Sequence, residues 1–456
     1  MSTFLPRPLI LAAGLMGAIG ASAQPVPGTV LWTYDAGTAI SSSPAITPDG
    51  AICFGTTTAL TAITNAGTTA SNKWTFPVGQ GVTSSPAVAA DGTVYFLASG
   101  LGCYALNPDG STKWSYAFQS TGLSSPAIGA DGTIYIVGDS SLYALTPAGA
   151  KKWASPVNGQ SGSPVVSSDG TVYFTSFAGS LYAFNPDGTP RWSYSIQNNS
   201  GMGDSAAIGS DGTVYITQGP LFAFAPNGTN LWQTPAQSSD DFFAKSSPVV
   251  AADGTIYVVN GASGNLAAVS PSGRVLWRVP LSVTGYSPPT TVPAVDAAGM
   301  IYYCVSNAVW AVSSQGQIQW VVNYPAMPPI GGYYAATSPV VGPDGTIYAA
   351  LGSKLYAIAG TNTLGSAPWP MCRQNPRHTG KLEKPALGRP QKRTDANFQF
   401  ELYPQQLGLT YAIESSTNLN TWTSLTSFVA TSLPMPVTDL SASNSPSKFY
   451  RAFSSP

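Results

Sequence analysis

The chain has 456 residues, 47 of them Gly and 39 Pro, with 9% charged residues and a formal net charge of −1. That composition suits many short strands joined by tight turns and is poor for helices. The near-zero charge gives no electrostatic case for nucleic acid or an anionic membrane surface as a partner.

In chain order, the first segment, "MSTFLPRPLILAAGLMGAIGASAQ", reads as an export signal over residues 1–23. Arg7 supplies a weak positive start and Leu9 to Ile19 a short apolar core. Ala21-Ser22-Ala23 is a small-residue cleavage site before Gln24. The apolar run is too short to span a bilayer comfortably, and no Cys follows it to take a lipid. No other run of about eighteen apolar residues occurs, so the mature chain is expected to lack a transmembrane span. The protein is expected to be exported, to a periplasm or to the cell exterior.

Residues 24–370 are dominated by a repeat: Ser-Ser-Pro-Ala-Ile/Val, two residues, Asp-Gly-Thr-Ile/Val-Tyr, a gap, Leu-Tyr-Ala-Leu, Pro-Asp-Gly, then Trp. Its Pro recurs at Pro44, Pro86, Pro126, Pro164, Pro248, Pro293 and Pro339, with Ala206 in the remaining copy. Each copy predicts four strands, A to D. Asp-Gly joins A to B and tolerates the positive φ of a tight hairpin; Pro-Asp-Gly or a relative joins C to D. A single sheet of this kind cannot bury both faces, whereas eight arranged radially can. The fold class is therefore all-β, an eight-bladed β-propeller. The last copy ends without its Trp, so the N-terminal "TVLWTY" is expected to supply the outer strand of blade eight through Trp32. Trp369 competes for that place, but it lies between two prolines that spoil strand pairing.

The unit resembles the repeat of the pyrroloquinoline-quinone-like β-propellers, which include quinoprotein alcohol dehydrogenases and an eight-bladed outer-membrane-assembly lipoprotein. The segment "PWPMCRQNPRHTG", Pro368 to Gly380, is similar to a short motif of bacterial members. The resemblance covers residues 29–380 and implies the fold. It also raises quinone-dependent oxidation, which in the enzymes of that family uses calcium held by Glu, Asn and Asp, a catalytic Asp and often a disulfide between adjacent cysteines. From Gln24 to Gly360 the chain has no Glu and no His, and no two of Cys53, Cys103, Cys304 and Cys372 are adjacent. No cofactor and no catalytic or metal-binding residues are therefore expected. The non-enzymatic branch is the better match, with a pyrroloquinoline-quinone-dependent oxidoreductase as the alternative. An even cysteine count in an exported chain permits disulfides, but three of the four sit at strand positions that are apolar in the sister repeats, and they read as buried free thiols. The Asp-Gly sites offer one carboxylate each and read as turns, not calcium loops.

Function is placed on the D–A connections, because variable loops on a rigid scaffold carry binding. From each Trp to the next repeat Pro the separation is 11 or 12 residues into blades one to four (Trp32 leading into the first), then 14, 16, 16 and 19. These longer loops hold Asp240, Asp241, Phe242, Phe243 and Lys245, then Tyr286, then Tyr324, Met327, Tyr333 and Tyr334. Aromatics beside acids suit a protein or polysaccharide partner of the cell envelope, the alternative being that they pack on one another to cover the taller loops. Asp204, replacing the first Ser of Ser-Ser-Pro, is a further candidate for binding. Residues 371–395, rich in Arg, Lys, Pro and Gly, read as an extended linker, with His378 at its surface. Residues 396–456 read as a small β-sandwich with Tyr411, Trp422 and Tyr450 in its core. A glycan-binding or adhesive role for that module is a second alternative.

Overall fold

The computed structural model describes residues 25–455 apart from 120–123, 160–161, 177, 197–204, 235–245, 260–264, 281–290, 306, 325–336, 364–366, 368–369, 376, 381–385, 388–390, 393–397, 404–409, 417–422, 430–434 and 440–448. Eight four-stranded antiparallel sheets follow one another around a ring. Blade two shows the pattern, with strand A at Ala87–Val88, B at Val94–Ala98, C at Gly102–Leu106 and D at Thr112–Tyr116. Strands A to C are buried, while D alternates between half-buried and exposed, as an outermost strand should.

The ring closes through the N-terminus. Val30–Asp35 pairs antiparallel with Lys354–Ala359, and Trp32 stands opposite Ala357. Trp32 is therefore the outer-strand tryptophan of blade eight; Trp369 lies outside the described residues.

One row of side chains crosses every sheet in the same register. In blade two it runs Ala87, Tyr95, Ala105, Trp114. The small Ala of strand C lets the Tyr of strand B reach the Trp of strand D. In blades two to eight those two rings lie 5.7–5.9 Å apart. The Trp then reaches forward to the next blade. The indole N–H of Trp74, Trp114, Trp153, Trp192 and Trp232 donates to the carbonyl of Pro108, Pro147, Pro186, Pro226 and Pro271 in the C–D turn ahead, at 2.8–3.0 Å. Trp277 does the same to Ser314. The turn glycine ahead, as at Gly188, has φ +87° and lies so close that a Cβ would come 2.5 Å from the Trp153 ring. Glycine is required there both for its backbone and for its bare surface. At the closure Gly28 approaches Trp320 in the same way.

A second set of bonds links the blades at the axis and explains the Ser-Ser-Pro motif. The first hydroxyl stays within its own blade: Ser84 Oγ accepts from the Leu97 amide at 2.8 Å. The second joins neighbours. Ser43 N donates to Ser85 Oγ, Ser85 N to Ser125 Oγ, Ser125 N to Ser163 Oγ, Ser163 N to Ser205 Oγ and Ser205 N to Ser247 Oγ. Beyond blade seven, Val292 N donates to Ser338 Oγ and Ser338 N to Ser43 Oγ, all at 2.9–3.2 Å. Val292 has no hydroxyl, so the circle lacks its link from blade six to blade seven. The four cysteines are free, with Cys53, Cys103 and Cys304 buried and Cys372 half-buried.

The C-terminal residues form two further small antiparallel sheets. One joins Ala386–Leu387, Phe398–Tyr403, Gln391–Lys392 and Met435–Asp439; the other joins Thr423–Val429, Thr410–Ser416 and Phe449–Ser455. Tyr411, Ile413 and Val437 are buried there.

The serine circle is directly testable. Ser163→Ala takes the acceptor from the buried Ser125 amide and is expected to cost about 1–3 kcal/mol of stability in urea unfolding. Ser272→Ala, in an exposed turn, should cost nothing measurable. Equal behaviour of the two variants would contradict a load on the circle.

Candidate functional site

The inner strands are only two residues long and end the sheets at the axis, which leaves their inward amides and carbonyls to be satisfied by something else. Residues 370–380 do this. The amides of Val88, Ile128 and Val166, the second residues of strand A in blades two, three and four, donate to the carbonyls of Arg377, Thr379 and Gly380 at 2.7–2.8 Å. On the other side Val295 donates to Pro370 at 2.7 Å, and Ala297 to Thr363 at 2.9 Å. The segment thus lies across the centre of the ring as a plug.

The repeat prolines take part as acceptors. The Arg373 guanidinium donates through Nη1 to the Pro164 carbonyl at 2.8 Å and through Nη2 to the Pro126 carbonyl. The Pro86 carbonyl faces the ring of His378, whose two nitrogens otherwise lack a hydrogen bond of standard geometry. Three successive blades are therefore read by two side chains. The plug holds its shape through Asn375, whose Oδ1 accepts from the amides of Arg377 and Thr379 and whose Nδ2 donates to Thr379 Oγ1. Arg373, Gln374 and His378 all have positive φ, between 54° and 75°. Non-glycine residues hold that conformation only where surrounding contacts impose it.

This corrects two expectations. His378 is not a surface residue of a tail: it is wholly buried. Residues 371–380 are not linker but part of the propeller's centre, because the basic side chain of Arg373 is matched by backbone carbonyls in place of solvent. Burial sets the electrostatics. It lowers the Arg373 pKa to about 10, leaving the group charged at neutral pH. Burial, with the neighbouring Arg373 charge second, pushes His378 down to about 3, so its ring is neutral. Burial raises the Cys372 thiol. Among the described residues neither nitrogen of the buried neutral His378 imidazole is hydrogen-bonded to a hydroxyl or a thiol.

The loop residues picked from the sequence are less evenly placed. Tyr324 is 5% exposed and packs against Tyr356 at a tilt of 38°, ring centroids 4.1 Å apart, so it belongs to the core and not to a binding surface. Asp204, Asp240, Asp241, Phe242, Phe243, Lys245, Tyr286, Tyr333 and Tyr334 lie outside the described residues. Sequence reasoning missed Arg373 as a central residue. The available signal was the "PWPMCRQNPRHTG" stretch, which occurs once and so stands out from the repeats.

Among the described residues no group of three or more His, Cys, Asp or Glu could hold a metal ion. From Gln24 to Gly360 the chain has no Glu, so the calcium ligand set that the family resemblance implies is not present in the blades.

The family model described as outer membrane protein assembly factor BamB matches residues 16–224 and 217–375. The chain belongs to this family. Among solved structures, BamB from Moraxella catarrhalis is similar at 15% identity over 72% of this chain and 99% of its own, with a TM-score of 0.56. The C-terminal WD40 domain of Sif2 matches at 12% identity over 74% of this chain and all of its own, TM-score 0.58. The computationally designed Ika8 protein matches at 10% identity over 73% and 99%, TM-score 0.56. These likenesses concern the propeller fold. Among curated proteins none matches the chain. No helix among the described residues is long and apolar enough to cross a membrane.

The plug gives a pH prediction. The folded pKa of His378 is depressed, so its contribution is fully present above the unfolded value near 6.5 and is lost as pH falls toward 3. The stability advantage of the native protein over His378→Gln should shrink by about 2–3 kcal/mol between pH 7 and pH 4.5, measured by urea unfolding. A constant difference would mean that the imidazole is not held neutral.

Proposed function

We propose that this BamB-family propeller is an exported, non-catalytic scaffold of the cell envelope that binds a protein partner through one half of its ring, blades five to eight. The observation that carries the reading is the asymmetry of an otherwise regular ring. The D–A connections lengthen only on entering blades five to eight. The rim changes over the same half. In blades one to four the residue before the outer-strand Trp is basic and pairs with the A–B turn carboxylate of its own blade: Lys73 with Asp49, Lys113 with Asp91, Lys152 with Asp131 and Arg191 with Asp169. In blades five and six that residue is Leu231 or Leu276, both exposed, and in blade seven Ile318 is exposed two residues before Trp320.

Exposed ion pairs contribute little to stability, so blades one to four gain mainly a polar, non-adhesive rim. Exposed Leu231 and Leu276 in the equivalent place, with Ile318 one residue earlier in blade seven, give the other half apolar surface that suits a protein partner. The segment that crosses the axis supports the same reading, since Arg373 and His378 are taken up by packing inside the ring and the contact falls to the loops and the rim. Family membership supports a protein partner over a polysaccharide.

Photo-crosslinking tests the proposal. A photoreactive residue at Phe243 or Tyr333 in the exported protein should trap a discrete envelope protein, while the same probe at Gly122, in a short loop, should not. Equal labelling from all three positions, or none from any, would overturn it. Mass spectrometry of the same material should find Gln24 as the first residue.

A further inference from the structure

Blade one departs from the transverse row that the other seven share. Its row reads Ala45, Cys53, Ala62, Trp74. Cys53 occupies the register of Tyr95, Tyr135, Tyr173, Tyr215, Tyr257, Tyr302 and Tyr348. The side chain that fills the space beneath the tryptophan elsewhere is missing here. A cleft of about 140 Å³ opens next to that place, between blades one and two, over Cys53, Ala62 and Val94, which are themselves wholly buried. Its wall includes Cys53, Ala62, Trp74 and Val94, and its mouth Asp49 and Lys73.

We infer that this cleft is a binding site for a phenolic ring, which would take the position that the other seven blades fill with their own tyrosine. Size, shape and polarity each point that way. The volume suits one six-membered ring; an apolar cavity of about 150 Å³ is known to take up benzene. The Trp74 face offers the ring contact that every sister tryptophan already has. The sister hydroxyls show where a phenol oxygen would lie. In the blades whose A–B turn matches that of blade one, the tyrosine lies beside the turn aspartate and the threonine two residues on, as Tyr95 beside Asp91 and Thr93; blade one has Ala51 in place of that threonine. In blade one the A–B turn carboxylate is Asp49, held ionised at neutral pH by Lys73 at 2.5 Å and by Thr47. It can accept from a phenol, with Lys73 beside it. Cys53 itself contributes smallness, not reactivity: burial pushes its thiol up to about 12.

Thermal unfolding of the full mature protein tests this with p-cresol, toluene and the peptide Gly-Tyr-Gly at millimolar concentration. The expected result is a Tm rise of about 1–3 °C with p-cresol, a smaller one with toluene, and no response to p-cresol in Cys53→Tyr, which fills its own cleft. Cys53→Leu serves the same purpose should the tyrosine variant fold poorly. A rise with Gly-Tyr-Gly as well assigns the site to a tyrosine on a peptide; a rise with p-cresol alone assigns it to free phenols. No shift with any probe, an equal shift in the filled variants, or toluene acting as well as p-cresol would overturn the inference.

Discussion

The forward reach of each outer-strand tryptophan is the interaction on which the architecture depends. A four-stranded blade has too little interior to be stable alone, and its outer strand is half-exposed. The indole removes that weakness in two directions. In seven blades it covers the tyrosine of its own blade, and it reaches the C–D turn of the next, so that each blade's outer edge is completed by its neighbour. Such an arrangement is stable only when it closes. The chain closes it by placing Trp32, the first tryptophan in sequence, in the last blade.

The centre of the ring solves a different problem. Eight short inner strands converge with unpaired backbone groups, and the serine circle and the plug divide the work of pairing them. The serines tie neighbours together. The plug ties blades two to four to blade seven, which stands on one side of the broken serine link at Val292. Arg373 can stay charged in the interior because its planar guanidinium donates to fixed carbonyl dipoles, those of two prolines. A centre built this way is rigid. It leaves variation to the loops and the rim, where the two halves of the ring do differ.

The blades were legible in the sequence because each instruction is repeated: Asp-Gly for the A–B turn, Ser-Ser-Pro for the inner strand, Trp for the outer one. Repetition also exposes exceptions, and Cys53 stands out among the aligned repeats as a missing tyrosine. The plug was not legible. Its basic residues, prolines and glycines have the composition of a solvated linker, and the carbonyls that hold Arg373 lie more than 200 residues away in the chain. Nothing periodic marks a contact made once. The role of His378 was hidden for the same reason, since a lone histidine among arginines gives no sign of burial. Tyr324 failed in the other direction: an aromatic in a long loop looked available for binding, but it packs against Tyr356 in the core.

Hydrogen exchange over residues 370–380 of the mature protein tests the central claim most directly. If the segment fills the ring, the amides of Val88, Ile128 and Val166, which donate to it, should exchange on the slow timescale of the buried strand-B amides, and peptides covering 370–380 should be protected with them. Exchange of the segment within seconds, with those three amides unprotected, would make it a tail after all. The axis would then be open to a ligand, and the case for a non-catalytic scaffold would lose its structural support.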